Sequence, residues 1–270
     1  MQNHTIIQNA LDAGHCFIGR IAGIELQVAH QFIEGTVTSQ QLEELENNAG
    51  IHLKREQSLA AYVNQLIQAY DHCTHIAEWE SNGPVYAATG WSQRWMGNRT
   101  PHIPKIPARS LEPYYTNSWM LRGKRILVVH PFTSTLEKQS HRFKELFPDR
   151  EWFPDCTFEF VKPPLTLAGN HGGTDWQDHM APCLDEIRGK EFDVALVAAG
   201  GYGMLISDFI YQRKKSVIYV GGALQLFFGV IGKRWFSNPD ILALVNDSWI
   251  RPSKEDQVSS YKKVEKGCYW

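Results

Sequence analysis

The sequence predicts an α/β protein: a Rossmann-like parallel sheet flanked by helices, with a largely helical N-terminal part, forming one domain over residues 1–270. Three observations carry this expectation. Short apolar runs at 125–130, 157–162, 192–198 and 216–220 alternate with helical patterns, as strands buried on both faces do. Three of the four turns after those runs are rich in glycine or small polar residues. Residues 1–118 carry helix-period apolar stripes and end in a proline-rich connector, which sets them apart from the Rossmann-like half at 119–270.

From the N-terminus, Ile6, Ile7, Ala10 and Leu11 form a helical stripe that stops at Gly14. A short strand, 16–18, leads through Gly19 and Arg20 into a helix carrying Ile24, Val28, Ala29, Phe32 and Ile33. Thr38 and Gln41 match a capping box ahead of Leu42 and Leu45. Leu59, Tyr62, Val63, Leu66, Ile67 and Tyr70 trace one face of a longer helix. Between 80 and 118, prolines 84, 101, 104, 107 and 113 argue against long helices, while Trp79, Trp91, Trp95 and Trp119 supply apolar anchors for the core or, alternatively, flank a sugar. Beyond it, helices are expected through Leu136, Phe143 and Leu146, through Trp176, Met180, Leu184 and Ile187 behind a Thr174–Gln177 cap, and through Leu205, Ile206, Phe209 and Ile210. Another apolar helix is expected after Gly222.

Charged residues make up 21% of the chain and the formal net charge is −2, so nothing in the charge balance points to nucleic acid or an anionic membrane as partner. Five cysteines without a CxxC pair suit reduced thiols and a cytoplasmic setting better than a disulfide framework or a zinc site. The N-terminus lacks a signal-peptide pattern, and the longest uncharged apolar stretch, 219–232, is too short and glycine-rich to span a membrane. An oligomer is compatible with all of this.

Ligands of open parallel sheets sit beyond the carboxyl ends of the strands. Four loops should share that edge: His130 to Thr133, Pro163 to Asn170, Ala199 to Gly203 and Gly221 to Gln225. Glycine lets backbone amides approach an anion, and a following helix aims its positive end there. The alternative is that these glycines only make tight turns. A dinucleotide fingerprint is not met, because Ile206 stands where the third glycine after Gly201 and Gly203 belongs, and no GxxxxGK[ST] string occurs. Arg20 and Glu25 make a second constellation, able to pair with phosphate and to serve as base or metal ligand, or else a surface arginine and a helix-start carboxylate. Lys233 and Arg234, beside Trp235, make a third, suited to neutralising a diphosphate or simply solvated on a turn. His72 and His75 have metal-like spacing but read better as ordinary helix-end residues, and His171 and His179, which flank the Thr174 cap, are no better a metal site.

At these residues the chain resembles the GT-D-fold glycosyltransferases and their GT-D-like relatives of polysaccharide gene clusters. GRIAGIEL resembles the R-[FY]-G-D-G-E-[FL] motif, and TLAGN, FDVALVAAGGYG, GGALQLFFGVIGKRW and KVEKGCYW resemble the GT-D-like branch. Arg20 and Glu25 fall on the motif's arginine and glutamate, whereas Gly23 falls on its aspartate. The resemblance implies transfer of a sugar from a nucleotide sugar, with a UDP-sugar expected, to a glycan or glycolipid acceptor. His130, Thr133, Gly200, Gly201, Tyr202, Gly221, Gly222 and Gln225, with Gly23, would hold the nucleotide and diphosphate, and Thr166 and Asn170 the donor or acceptor. Glu25 is the candidate acid–base or metal residue, holding Mn²⁺ or Mg²⁺ with help from the diphosphate, and Arg20 the phosphate contact. Lys233 and Arg234 would otherwise stand in for the metal. A non-catalytic nucleotide-binding scaffold and a different sugar-modifying transfer, such as pyruvyl transfer, are the rival expectations.

Overall fold

The computed structural model describes residues 3–80, 84–113 and 118–270. Its elements run α1 (Asn3–Asp12), β1 (Phe17–Arg20), α2 (Ile24–Ile33), α3 (Ser39–Glu44), α4 (Ser58–Asp71), β2 (His75–Glu78), α5 (Pro84–Arg99), β3 (Lys105–Pro107) and β4 (Arg125–Val129). Then come α6 (Thr133–Ser140), α7 (Phe143–Leu146), β5 (Thr157–Val161), α8 (Trp176–Arg188), β6 (Val194–Val197), α9 (Gly203–Gln212), β7 (Ser216–Tyr219) and α10 (Pro239–Leu242). All seven strands join one parallel sheet in the order β3-β2-β1-β7-β6-β4-β5. The expected α/β fold is therefore present, and the sheet runs through both halves of the chain.

Strand residues alternate between two cores, one on each face. Phe17, Leu127, Ala195 and Val217 face the side covered by α2, α4, α8 and α9. Ile18, Ile126, Leu196 and Ile218 face α1, α6 and the 3-10 segment Gly221–Phe228. The chain therefore leaves β1 toward one face and β7 toward the other. Because these strands are neighbours, their ends diverge and open a crevice at the sheet's switch point.

The N-terminal part is helical as expected, but it also supplies β2 and β3. β2 is only four residues with polar ends, and β3 is three residues ending in proline, so neither has an apolar run to announce it. His75, expected near a helix end, starts β2 instead. The 16-residue α5 corrects the expectation that prolines forbid a long helix there. Pro84 opens the helix, where no N–H donor is needed, and Pro101 lies beyond its end. The Thr38–Gln41 capping box is present. The helix expected to run from Leu136 to Leu146 is split into α6 and α7, and the one after Gly222 is 3-10.

α8 is capped by Asp175, not Thr174: Oδ1 accepts from the Gln177 amide at 3.2 Å. Fully buried, Asp175 also accepts from Ser58 Oγ and from the Lys54 and Arg55 amides at 3.0 and 3.4 Å. Burial alone would push this carboxyl up. The hydrogen bonds from Ser58 and from the amides of Gln177, Lys54 and Arg55 together outweigh it and hold the pKa below its ordinary value. Such a depressed group stabilises the fold above its unfolded-state pKa, and that contribution is lost as pH falls through the folded-state value. Asp175→Ala removes a cap and strands several buried donors, so it is expected to destabilise by about 3 kcal/mol. Urea unfolding at pH 7 and pH 3 measures this, and the gap between wild type and variant should narrow at pH 3.

Candidate functional site

A cavity of about 480 Å³ opens at the carboxyl edge of the sheet, lined from the ends of β1, β7, β6 and β4 and by Trp79 just after β2. All four expected loops meet there, contributing His130, Leu165, Leu167, Gly200, Gly221, Gly222 and Gln225. Arg20, Gly23, Glu25 and Arg234 line it too. The turn after β1 is clamped by Tyr70, whose hydroxyl donates to the Arg20 carbonyl at 2.7 Å and accepts from the Ala22 amide at 3.1 Å. This clamp fixes how α2 begins, and hence where Glu25 sits in its first turn.

Arg20 is the central cation. Its guanidinium lies 4.3 Å from the Trp79 ring centre and donates to the Val220 carbonyl at 3.2 Å. Nε is shut away from solvent without a hydrogen-bond partner, and among the described residues no carboxylate lies within ion-pair distance. Burial, with a smaller push from Arg234, draws its pKa down against the pull of Tyr219, Glu112 and Tyr269. Arginine nonetheless stays charged at neutral pH. Gly221 makes room for it: φ is +69°, and a Cβ there would fall 2.2 Å from Arg20 Nη1.

Around this cation the wall combines aromatic and neutral polar groups with the charged Glu25, Glu44 and Arg234. The Tyr219 hydroxyl donates to the Gly200 carbonyl at 3.0 Å, and burial first, then the charge of Glu25, keeps that phenol protonated. His130 is buried, which draws its pKa down to about 3. Arg234 donates to the Tyr269 hydroxyl at 2.5 Å with its guanidinium 5.3 Å from that ring. Tyr269 in turn packs on Gly222, where a Cβ would come within 2.4 Å of the ring. Glu44, Asn48 and Ala49 complete the rim from the end of α3 and the π-helical turn Leu45–Ala49; such turns recur near functional sites.

Several expected residues stand behind this wall instead. Thr166 donates to the Gly50 carbonyl at 2.6 Å and sits 3.0 Å from the Tyr202 hydroxyl, which also donates to Gly50. Gly201 packs on Ala49 and Ile51, and its carbonyl accepts from Tyr62. Asn170 is spent on the Leu167 and Ser259 carbonyls. Thr133 opens α6 outside the cavity, and Lys233 is exposed, away from the lining. Thr133, Thr166, Asn170, Gly201, Tyr202 and Lys233 thus shape or border the site without lining it. Conversely, Gln27, Glu44, Asn48, Tyr219, Tyr269 and Trp270 line it without having been singled out. Only the resemblance of KVEKGCYW hinted at the last two.

The metal implied by the resemblance does not fit these residues. Gly23 offers no ligand where the motif has aspartate, and no three metal-binding side chains converge in the lining among the described residues. One such trio, Glu46, His52 and His171, lies outside it. Glu46 Oε2 is 2.5 Å from His52 Nδ1 and Oε1 is 3.3 Å from His171 Nε2. The two imidazoles are stacked, 3.6 Å apart and 13° from parallel, so their lone pairs run side by side instead of meeting at one point. The Gly173 amide donates to His171 Nδ1 at 3.0 Å, which leaves the proton on Nε2, the atom a metal would need. We read the trio as a carboxylate holding two ring N–H groups.

Compared with protein-family models, curated proteins and solved structures, the chain matches none. Its own residues define an α/β protein with an aromatic-walled cavity built around a buried arginine. No helix among the described residues is long and apolar enough to cross a membrane.

Proposed function

We propose that the cavity takes a nucleotide diphosphate sugar, a UDP-sugar foremost, and that the protein moves the glycosyl group to a hydroxyl of a glycan or glycolipid. The observation that carries this reading is Arg20, a buried cation with no carboxylate within ion-pair distance among the described residues. Burying a lone charge costs several kcal/mol, a penalty that an anionic ligand would offset. The Gly221–Gly222 turn and the start of α2 lie beside it, both able to present backbone amides to phosphate. Arg234 is near enough to act on Arg20 electrostatically, so two cations face the same space.

In the transfer, the acceptor oxygen bonds to the anomeric carbon while the bond from that carbon to the diphosphate breaks. Glu25 takes the hydroxyl proton, and the departing electron pair stays on the diphosphate, where Arg20 and Arg234 neutralise it. No step is routed through a metal. Calorimetry with UDP, UDP-sugars and free pyruvate donors, with and without Mn²⁺, tests the reading. The expected result is nucleoside diphosphate binding that does not need Mn²⁺, with slow hydrolysis of a UDP-sugar. Absence of any nucleotide binding would sink it. Gly23 in place of an acidic residue favours one second reading, a non-catalytic nucleotide-binding protein of glycan assembly, which would bind UDP-sugars and leave them intact.

A further inference from the structure

Two neutral polar groups in the cavity lining have a fixed hydrogen-bonding sense. Gln225 is 1% exposed, and its amide nitrogen donates to the Val230 carbonyl at 3.1 Å and the Tyr269 carbonyl at 3.3 Å. Two carbonyls on the nitrogen rule out the flipped amide, so Oε1 is the free end, buried and without a partner. Such an acceptor is costly to leave unmade and normally signals a missing donor. His130 is 2% exposed, and its Nδ1 accepts from the Phe132 amide at 2.9 Å. A neutral imidazole accepting at Nδ1 carries its hydrogen on Nε2, so His130 offers this wall a donor. The two groups are linked by a continuous aromatic path. His130 stacks edge-on to Phe132 at 5.0 Å, Phe132 to Trp270 at 5.4 Å, and Trp270 to Tyr269, whose carbonyl holds Gln225. All five residues line the one cavity.

We infer that Gln225 Oε1 and His130 Nε2–H form a fixed acceptor–donor pair that reads the pairing edge of a nucleobase lying against Phe132 and Trp270. The inference rests on the nucleotide-sugar reading and extends it from the phosphates to the base. The matching ligand edge is a ring N–H beside a carbonyl, as in uracil, or an amino group beside a ring nitrogen, as in cytosine. An aromatic wall supplies the stacking surface, and the two polar groups supply orientation. Because burial keeps His130 neutral above a pH of about 3, its donor is present throughout the working range and base recognition is flat from pH 5 to 8.

Calorimetry compares inorganic pyrophosphate, UDP, CDP and UDP methylated at the ring nitrogen N3. Wild type is expected to bind UDP or CDP at least about tenfold more tightly than pyrophosphate, since a site built to bond a polar group rejects ligands lacking it. If UDP is preferred, N3 methylation removes most of that gain with no change to the protein. A preference for CDP supports the same pair on cytosine's edge. Gln225→Met is expected to erase the gain of UDP or CDP over pyrophosphate. His130→Asn serves as the second variant, because its Oδ1 can still accept from the Phe132 amide while the Nε2 donor is lost. Equal binding of UDP, CDP, N3-methyl-UDP and pyrophosphate overturns the base reading and leaves the arginine site standing. Loss of binding for all of them overturns both.

Discussion

Arg20→Met is expected to abolish the thermal shift that UDP confers, while the ligand-free protein melts at the same temperature or higher. The two halves of this result have one cause. In the free protein Arg20 is desolvated, keeps one hydrogen bond among the described residues, to Val220, and leaves Nε unsatisfied. Methionine keeps the apolar stem against Trp79, removes the charge, and strands only one carbonyl, at a cost of about 1 kcal/mol. Removing a buried charge can repay that or more. With ligand present, the lost charge-assisted contact should weaken binding and turnover at least about a hundredfold, roughly 3 kcal/mol. Differential scanning fluorimetry with and without UDP reads both quantities. A ligand shift that survives in Arg20→Met would remove the anion-site assignment.

Glu25→Gln is expected to lower turnover of the proposed transfer about a hundredfold with little change in KM for the donor. Glutamine preserves size but cannot take a proton. Glu25 sits in the first turn of α2, so the lost helix-end charge costs only about 0.5 kcal/mol and the fold survives. Its charge also reaches Tyr62, Tyr70 and Tyr219, where burial is the larger cause and Glu25 adds to it in keeping the phenols protonated. Steady-state rates of UDP-sugar consumption with and without acceptor measure the effect. Near-normal kcat would remove Glu25 from the chemistry, while a raised KM alone would recast it as a binding residue.

The Rossmann-like half was legible because β4, β6 and β7 are buried on both faces and so read as unbroken apolar runs. His75–Glu78 offered no such run, because its polar end residues are only half-buried. α5 was hidden by counting prolines without weighing the free interval between residues 84 and 101. For the site, strand ends were readable in one dimension, and their turns do converge. What sequence order could not reveal is depth: Thr166 and Tyr202 share a loop neighbourhood with lining residues yet point at Gly50. Nor could it reveal that residues 264–270 fold back across Gly222 and Gly232 to become a wall.

The pairing of β1 with β7 joins segments that lie about 200 residues apart along the chain. Closing so large a loop is slow, and the sheet has no continuous centre until the last strand arrives. Arg20 and Gly221 stand on the two banks of that late seam. A molecule gripping both acts as a rivet across it, so occupancy should slow the splitting of the sheet into its two flanks and lengthen the lifetime of the folded chain.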